Sequence, residues 1–407
     1  MKIFVVGMGV LSPASFGINE FSRSILSGIS QISKLENDDY SNIPVKIGGE
    51  VKNKDLKKIG IEKMREDRAF YFLDYSVNEA IKAYNLNPIF ERIELKKGIF
   101  IGTCYNGNET LDKTYGYYNK GQENFINPLF LVRSMRCSST ALVSEKWKLS
   151  DFSITVDTAC SSSLHAIGLG YLFIKWGVLD LVVAGGTDTP LFPVSIIGWN
   201  KLNVLEKDNE NPTKVPSPFS KRRKGTVLGE GAGAVIITKE EICEKFGLIP
   251  LAEVCGYGYS NDTTHLTHTN HKSIEKAIEK SFQDYPELFE KVNYIQAHGT
   301  GTPVNDFEET IAIKNMFKDK AYKLKVNSVK SMIGHTMGAS GVISTIAAII
   351  QMKENKLHPT INLDEPDPEC DLDYVANESI DYEVNCALVN AFAFGGSNAV
   401  ILLKNLN

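Results

Sequence analysis

Three side chains in this sequence have the types and positions needed for acyl-transfer chemistry. Cys160, His298 and His335 each follow an apolar segment and lie in a turn rich in small residues. In α/β proteins, groups that act on ligands are commonly placed in the turns that follow strands. A cysteine can carry an acyl group as a thioester, and two histidines can donate hydrogen bonds to a developing enolate.

Cys160 comes directly after the predicted strand 152–156 and begins a long apolar helix. A helix N-terminus lowers the pKa of a thiol, because its free N–H groups and its dipole favour the thiolate. The same N–H groups could form part of an oxyanion hole. A buried structural cysteine is the alternative, and position alone does not decide between the two.

The other six cysteines lack this setting. Cys243, Cys255 and Cys386 lie within or beside apolar segments and are predicted to be core residues, whereas the acidic loop around Cys370 would raise its thiol pKa. Cys104 and Cys137 remain candidates for the lining of a pocket. The number of cysteines is odd and none are in CxxC pairs, so we expect free thiols in a reducing, cytoplasmic setting.

His298 and His335 are the only two of the seven histidines in glycine-rich turns after predicted strands. Two such histidines can stabilise an enolate without a metal, and the spacing of a metal site is missing. The cluster of His265, His268 and His271 has a spacing of three residues, as some zinc motifs do. The polar residues around it favour a surface loop instead. His165 and His358 are interpreted as structural.

The predicted elements alternate between strand and helix, which indicates an α/β protein with buried, largely parallel sheets. Predicted strands are 3–7, 98–102, 152–156, 180–185, 234–238, 251–256, 292–297, 324–329, 381–390 and 399–403, and predicted helices are 67–83, 271–282, 307–317 and 342–353. The second half repeats the rhythm of the first, so we expect two similar halves, 1–245 and 246–407. Residues 207–220 are interpreted as a surface loop.

Composition sets few limits on function. The chain has 407 residues, 43% of them hydrophobic and 23% charged, with a formal net charge of -5. This charge gives no argument for binding to nucleic acid or membranes. The apolar segment 341–352 is too short to span a bilayer and is predicted to be a buried helix. The N-terminal segment is interpreted as a first strand with a glycine turn and not as a signal peptide.

Five sequence blocks together resemble the elongating (type I and II) β-ketoacyl-acyl-carrier-protein synthases of the thiolase superfamily, including type II polyketide ketosynthases. The blocks are VDTACSSSL (156–164), PFSKRRKGTVLGEGAGAVII (218–237), HGTGTPVND (298–306), KSMIGHTMGASG (330–341) and AFAFGGSNA (391–399). They occur in the order and spacing of the family over nearly the whole chain. The resemblance implies a five-layered αβαβα fold that is usually dimeric.

The resemblance also implies roles for individual residues. Cys160 would be the nucleophile, with its own N–H and that of Phe394 forming the oxyanion hole, and His298 and His335 would support decarboxylation of malonyl-carrier protein. Lys330 would pair with Glu309 beside the site. Thr300 and Thr302 would bond the phosphopantetheine arm of the carrier protein, and Phe392 and Phe394 would belong to a gate. No metal or other cofactor is implied.

The chain departs from the family pattern at residues near the substrate. Ala393 replaces a glycine of the gate, which predicts a less mobile gate, or one that opens differently, because alanine tolerates fewer backbone conformations. Thr226 stands where an aromatic residue is common, and Ser220 where an aspartate is common. These changes leave open whether the acyl chain is a saturated fatty acid or a polyketide or polyene.

Three related proteins serve as alternatives. A thiolase would need a second cysteine in a C-terminal glycine turn, an initiating synthase would carry asparagine in place of His335, and a chain-length-factor-like subunit would lack Cys160. The chain could still be the catalytic half of a heterodimer with such a subunit, or form a homodimer. Acidic carrier protein would dock on basic residues, and the candidates are Lys63, Arg65 and Arg68, or Lys221, Arg222, Arg223 and Lys224.

Overall fold

The structure is a computed structural model that describes residues 1–13, 15–36, 43–62 and 64–406. Its strands are β1 Ile3–Ser12, β2 Ser15–Phe16, β3 Ser33–Lys34, β4 Ile47–Gly48, β5 Lys97–Gly102, β6 Phe152–Val156, β7 Leu181–Asp188, β8 Gly231–Lys239, β9 Ala252–Asn261, β10 Val292–Gln296, β11 Lys325–Asn327, β12 Lys356–Leu357, β13 Ile380–Asp381, β14 Cys386–Phe392 and β15 Ser397–Lys404. Its helices are α1 Ile18–Leu26, α2 Asn53–Lys58, α3 Arg68–Lys82, α4 Asn87–Phe90, α5 Asn108–Asn119, α6 Phe130–Arg133, α7 Ser138–Trp147, α8 Ser162–Lys175, α9 Pro193–Lys201, α10 Glu240–Phe246, α11 His271–Ser281, α12 Pro303–Phe317, α13 Lys330–Ile333 and α14 Ser340–Glu354.

The main strands form two five-stranded groups with the same pattern of strand directions. The first group has the order β6-β5-β7-β8-β1 and the second β11-β10-β14-β15-β9, and a short β1–β9 pairing joins them. In each group the first two pairings are parallel and the next two antiparallel. The sheets are therefore mixed, and the expectation of largely parallel sheets is wrong, because β8, β1, β15 and β9 connect by antiparallel pairing.

The helices pack in three layers around these strands, which gives the expected five-layered α/β arrangement. Helices α8 and α14 pack against each other between the two groups of strands, while α3 and α7 cover the first group and α11 and α12 the second. Every residue from Ser340 to Met352 of α14 is buried. A helix that is apolar all round belongs inside a protein, so the predicted buried helix is confirmed.

The outer helices are amphipathic and have recognisable ends. In α3 the Asp67 side chain caps the N-terminus by accepting a hydrogen bond from the N–H of Ala69 at 3.2 Å. Its buried residues, including Phe72, Leu73 and Val77, recur at helical spacing and face the first group of strands. This cap and this spacing are the signals that predict the helix from sequence.

Several predicted boundaries differ from the structure. The predicted strand 381–390 is two strands, β13 and β14, which lie in different sheets. Residues 207–214 are mainly exposed, but 215–220 are buried, so the surface-loop interpretation is wrong for the second part of that segment. A polar, proline-rich composition indicates the local conformation of a segment. It does not indicate whether distant parts of the chain cover that segment. No helix among the described residues is long and apolar enough to cross a bilayer.

Candidate active site

Cys160 lies at the C-terminal end of β6, in a short 3-10 turn, Ala159–Ser161, that leads directly into α8. The turn begins with Ala159 at a φ of 52°, a left-handed conformation that is costly for an alanine. Gly102 of the neighbouring β5 allows the start of α8 to approach closely, since a Cβ there would lie 2.2 Å from the Ser163 nitrogen. The thiol is consequently held in a defined position and is only 6% exposed.

The environment raises the pKa of the Cys160 thiol to about 11, chiefly because burial disfavours the thiolate. The positive charge of Lys330 and the backbone N–H groups of Phe394 and of Cys160 itself lower it. The expected net decrease of the pKa is therefore wrong, because desolvation outweighs the helix N-terminus. The two N–H groups that contact the sulfur are the pair expected to form the oxyanion hole.

His298 follows β10, the equivalent of β5 in the second group of strands. The backbone N–H groups of His298 and Gly299 donate to the Glu309 carboxylate at 2.8 and 2.9 Å, which holds this turn against α12. The imidazole is 2% exposed, and its Nδ1 has no hydrogen-bond partner among the described residues. Its ring lies edge-on to Phe392, with centroids 5.7 Å apart.

His335 lies between α13 and α14, in the turn equivalent to that of Cys160. Its backbone N–H donates to the carbonyl of Val227 at 2.7 Å, which anchors the turn on the segment before β8. The ring is 3% exposed, and neither Nδ1 nor Nε2 has a hydrogen-bond partner among the described residues. Buried polar atoms without partners are rare in proteins, and these nitrogens are available to bond a ligand in the cavity.

The structure brings Cys160, His298 and His335 together, although they are far apart in sequence. The sulfur and one ring nitrogen of each histidine lie within 4.8 Å of one another, and the two histidine rings are 5.4 Å apart at 84°. Burial and the charge of Lys330 lower the pKa values of both histidines well below 6.5. The imidazoles are thus neutral at pH 7, and each can donate one N–H to an oxygen of a substrate.

Lys330 and Glu309 are both buried beside this cluster, but they do not form the expected ion pair. The carboxylate of Glu309 instead accepts from the two backbone N–H groups of the His298 turn and from Asn390 at 3.0 Å. Burial lowers the pKa of Lys330 to about 8, whereas the charges of Glu309 and Cys160 act in the opposite direction. The two residues therefore interact through space, because the turn uses the carboxylate oxygens directly.

The gate loop, residues 392–396, begins at the last residue of β14, and the backbone N–H of Phe394 contacts the Cys160 sulfur. The N–H of Ala393 donates to the carbonyl of Ser397 at 3.1 Å, while Gly395 and Gly396 both have a φ of 82°. Ala393 is not among the residues with positive φ, so alanine fits the conformation seen. A second loop, residues 262–270, contacts the gate through the carbonyl of Leu266, which accepts from Gly395 N–H at 2.7 Å.

A cavity of about 310 Å³ leads from the surface to Cys160 and the two histidines. Thr300 and Thr302 line it and are hydrogen-bonded to each other through their hydroxyls at 2.9 Å. Thr226 also lines it, and its buried hydroxyl has no partner among the described residues. Phe392 and Phe394 complete the part of the wall that was predicted from sequence.

Other residues of this cavity were missed by the sequence reasoning. Trp199 of α9 lines it, as do Thr267, His268 and Thr269 of the loop that was interpreted only as surface. Asp188 is fully buried behind the site and was not assigned, although it ends a strand in the glycine-rich sequence GGTD that could have drawn attention to it. No sequence signal placed Trp199, because its position depends on how α9 packs.

The remaining cysteines and histidines lie outside the cavity or have structural partners. All seven cysteines are free, and Cys243, Cys255, Cys370 and Cys386 are buried as core residues. Burial is the main cause that raises the pKa of Cys370 to about 11. His165 bonds Tyr257 and Ser397, His358 bonds Gln296, and His271 pairs with Glu308 at 2.7 Å.

Comparisons with known proteins agree with this geometry. Residues 1–242 match the family model described as "Beta-ketoacyl synthase, N-terminal domain", and residues 251–364 match its C-terminal counterpart. The chain is 32% identical to the 3-oxoacyl-[acyl-carrier-protein] synthase 2 of Coxiella burnetii over 100% of this chain and 99% of that protein. It is also 32% identical to the synthase of the same name from Staphylococcus aureus, covering 99% of this chain and 98% of that protein.

Two solved structures are similar over 100% of this chain and 99% of theirs. One is a ketosynthase and chain length factor for ishigamide, with a TM-score of 0.92 and 27% identity. The other is a type II PKS acyl-carrier protein in complex with its ketosynthase bound to the hexaketide, with a TM-score of 0.91 and 28% identity. Together with the family models, these similarities show that the chain belongs to the β-ketoacyl synthase family of condensing acyltransferases.

Proposed function

We propose that this protein catalyses decarboxylative Claisen condensation of an acyl chain on Cys160 with malonyl-acyl carrier protein, giving β-ketoacyl-acyl carrier protein. The observation that carries the proposal is the cluster of one thiol and two neutral imidazoles at the end of the cavity, within 4.8 Å of one another. A thiol can accept an acyl group, and two N–H donors can hold the enolate that decarboxylation forms.

The first half-reaction transfers the acyl group. The Cys160 sulfur attacks the carbonyl carbon of an acyl thioester, and the N–H groups of Cys160 and Phe394 stabilise the oxyanion. The carbon–sulfur bond to the phosphopantetheine then breaks, and the carrier protein leaves as a thiol after taking up the proton that Cys160 lost. Thr300 and Thr302 on the cavity wall bond the phosphopantetheine arm during this step.

The second half-reaction forms the new carbon–carbon bond. Malonyl-carrier protein loses CO₂, and the electron pair of the broken bond becomes an enolate whose thioester oxygen accepts hydrogen bonds from His298 and His335. The enolate carbon attacks the acyl-Cys160 carbonyl and the carbon–sulfur bond breaks. The released Cys160 thiolate takes up a proton from solvent, which regenerates the thiol. Lys330 supplies positive charge near the sulfur and the histidines, and Glu309 holds the turn of His298. The proposed reaction uses no metal or cofactor besides the phosphopantetheine of its substrates.

Labelling of the protein tests the nucleophile directly. After incubation with radiolabelled acyl-carrier protein, the wild type should carry one acyl group per chain, and Cys160→Ala should carry none. Cys104→Ala serves as the matched control, because Cys104 belongs to the same apolar cluster as Cys160 but does not line the cavity. Full retention of label in Cys160→Ala would refute the assignment.

The pathway and cellular setting also remain proposals. The VDTACSSSL block and the altered gate favour polyketide or polyene assembly over saturated fatty acid synthesis. Intact-protein mass spectrometry with mixed acyl-carrier proteins would identify the preferred chain. We propose that residues 1–245 and 246–407 are the two halves of a duplicated fold. The free cysteines support a reducing, cytoplasmic location.

Two lysines are the best candidates for docking the carrier protein. Lys224 is exposed, lines the cavity at its open end and forms no ion pair among the described residues, and Lys221 is exposed nearby. By contrast, Arg68 pairs with buried Glu230, Arg222 pairs with Asp364 at 2.9 Å, and Arg223 pairs with Asp367. Arg65 is exposed, and Lys63 lies outside the described residues.

Charge-reversal variants distinguish the two candidate docking surfaces for the carrier protein. Lys224→Glu should weaken binding of carrier protein at low salt by roughly twofold to fivefold, because single exposed charge pairs contribute up to ~1 kcal/mol. Arg65→Glu tests the other cluster in the same titration, and the effect should vanish at high salt. Equal affinity of Lys224→Glu and wild type at low salt would exclude docking at the cavity mouth.

An exposed apolar surface supports a second subunit. Strand β6 is the edge of the first group of strands, and α5, α6 and the segments that follow them expose large apolar side chains. These are Tyr115, Tyr118, Phe125, Leu129, Leu131, Val132 and Met135, each at least 53% exposed. An open strand edge beside an apolar patch is a pairing surface. We propose that a second copy, or a chain-length-factor-like subunit, covers it.

The mass of the protein in solution distinguishes the two partners. A homodimer predicts twice the chain mass for the isolated protein, and Leu131→Glu should reduce it to the monomer mass. Aggregation or a monomer that recruits a homologous subunit on co-expression would favour the heterodimer, in which this chain is the catalytic half.

A further inference from the structure

Cys160, His298 and His335, which we call the thiol–imidazole cluster, carry the ligand atoms that zinc prefers. Zn²⁺ binds cysteine sulfur at about 2.3 Å and imidazole nitrogen at about 2.0–2.1 Å, and zinc sites that exchange a ligand have three protein ligands and one open position. In the part of the chain that the structure describes, no other group of three metal-ligating side chains converges in this way, with all ligand atoms within 4.8 Å of one another.

Small side-chain movements are enough to bring the three atoms to one zinc ion. Around a tetrahedral zinc these bond lengths place sulfur and nitrogen about 3.5 Å apart and the two nitrogens about 3.4 Å apart. The ligand atoms of the cluster lie at most 4.8 Å apart, so each pair has to approach by about 1.4 Å or less. Neither ring nitrogen of His335 has a hydrogen-bond partner among the described residues, so rotation of this ring breaks no hydrogen bond.

The ligand types and the cavity decide which cation fits and how firmly it is held. A thiolate and two imidazoles favour Zn²⁺ or Co²⁺, whereas Mg²⁺ and Ca²⁺ prefer oxygen ligands. The cavity reaches all three side chains and leaves room for a water molecule at the fourth position. Histidines of permanent zinc sites donate their second N–H to a fixed acceptor. His335 has no such acceptor among the described residues, which favours reversible binding.

We propose that the thiol–imidazole cluster reversibly binds one Zn²⁺ and that the bound zinc blocks acylation of Cys160. The thiol releases its proton to solvent, the sulfur shares the freed electron pair with zinc, and each imidazole shares the lone pair of one nitrogen. No electron is transferred. While zinc lies between the sulfur and the two histidines, a thioester carbonyl cannot reach the sulfur. The inference goes beyond the proposed function, because zinc binding does not require that any acyl group is transferred.

The charge of Lys330 predicts a second property of this zinc site. Its positive charge acts on the Cys160 thiol and on both imidazoles, so it lies near all three ligands. Zinc binding replaces one proton by a divalent cation and therefore adds one positive charge to the site, which Lys330 opposes. Lys330→Met should tighten zinc binding at pH 7 by roughly threefold or more.

Calorimetric titration with Zn²⁺ and protection of the thiol test the site. The wild type should bind one Zn²⁺ that Cys160→Ser and His335→Ala do not bind, and excess Mg²⁺ should not compete. Alkylation of Cys160 by iodoacetamide should slow roughly tenfold when free zinc is ten times its dissociation constant, and EDTA should restore the rate. Cys137→Ala removes an exposed cysteine and should match the wild type.

Cobalt reports the ligands by absorption. Co²⁺ should give a near-ultraviolet sulfur-to-cobalt band in the wild type, and wild-type protein whose Cys160 is already alkylated should lack it, which needs no folded variant. His265 and His268, with Nδ1 atoms 2.8 Å apart, are the other place where zinc can bind. The double variant His265→Ala/His268→Ala should keep both the cobalt band and the protection of Cys160.

The outcomes separate this inference from the proposed function. Absence of zinc binding, equal affinity in Cys160→Ser and wild type, or loss of protection in His265→Ala/His268→Ala would overturn the zinc site. Zinc that binds at Cys160 but leaves its acylation rate unchanged would overturn the block. Failure of the metal-free wild type to be acylated in EDTA would instead overturn the proposed function and leave the zinc result standing. Thermal melting establishes that each variant is folded.

Discussion

The two groups of strands have the same architecture but contribute different chemistry. The turn after β6 carries Cys160, and the equivalent turn after β11 leads to His335. Likewise, the turn after β5 is held by the buried carboxylate of Asp188, and the turn after β10 by that of Glu309. In the proposed mechanism the first group supplies the acyl acceptor and the second the hydrogen-bond donors to the enolate. The shared geometry of the two groups places these side chains together.

The comparison of the two groups of strands also shows which side chains of the buried site are neutral and which is charged. The pKa of Cys160 is raised and those of His298 and His335 are lowered, mainly by burial in each case, so all three are neutral at rest. Lys330 in the second half is the positive group that lowers the pKa of the thiol in the first half. The protonation of Cys160 therefore depends on a side chain that follows the second group of strands.

The largest effect is expected on the rate of the second half-reaction when either histidine is replaced and the two half-reactions are measured separately. His298→Ala and His335→Ala should each lower the rate of malonyl decarboxylation by roughly 10²- to 10⁴-fold, because the enolate loses a hydrogen-bond donor. Acyl transfer to Cys160 should fall much less. Release of CO₂ and acyl labelling are measured on the same samples, with the surface variant His265→Ala as the control. Equal loss of both activities would contradict the division of labour between the halves.

Substitution of the two buried carboxylates, Glu309 and Asp188, tests how each group of strands positions its turn. Glu309→Gln and Asp188→Asn each replace a charged acceptor of backbone N–H bonds by a neutral one, which costs roughly 1–3 kcal/mol per site. We expect Glu309→Gln to lower decarboxylation by roughly tenfold to 100-fold and acyl transfer less, and Asp188→Asn to lower both. The readouts are CO₂ release, acyl labelling and melting temperature.

The pKa of Asp188 predicts how the effect of Asp188→Asn changes with pH. Burial raises the pKa of this carboxyl to about 6, so the wild-type side chain becomes neutral as the pH falls below that value. The difference between wild type and Asp188→Asn should therefore shrink below pH 6 and be full above pH 7. A difference that is constant from pH 5 to 8 would show that the charge of Asp188 does not matter.

Replacement of Lys330 tests the charge that links the halves. Since the pKa of Cys160 is about 11, its alkylation by iodoacetamide should rise about tenfold per pH unit between pH 7 and 10. Because burial lowers the pKa of Lys330 to about 8, its positive charge lowers the pKa of Cys160 mainly below that pH. Lys330→Met should therefore slow alkylation most near pH 7 and progressively less towards pH 10. Lys323→Met, which changes an exposed lysine, should match the wild type. Alkylation as fast as wild type in Lys330→Met would contradict the coupling.

The smallest expected effect concerns the gate loop. Ala393→Gly should speed acylation by long chains relative to short ones by roughly twofold to fivefold, because glycine gives the loop ~0.5–1 kcal/mol more backbone entropy to draw on. Ala391→Gly, two residues earlier in β14, controls for loss of strand stability. If Ala393→Gly and the wild type have the same acylation rates for long chains and the same rates for short chains, Ala393 does not influence which acyl chain is accepted.

The predictions from sequence succeeded where the signal was local. Strand β6 and helix α3 were placed to within a residue, and for α3 the helical spacing of its apolar residues is visible in the chain. The boundary between β13 and β14 was missed, since a continuous polar-apolar run does not show which sheet each part joins. The positions of Trp199 and Asp188 were missed because they depend on contacts between distant segments.

The sequence by itself supplied the candidate reacting groups and the turns that carry them. Cys160, His298 and His335 follow strands, and local chain preferences are enough to show this. Only the tertiary structure decided their protonation, because the pKa of each depends on how completely other segments exclude water from it. It also decided that Glu309 binds a backbone turn and not Lys330, and that Tyr105, Trp199 and Phe394 meet. The two contacts of Trp199 join segments about 90 and 195 residues apart, and no local pattern encodes them.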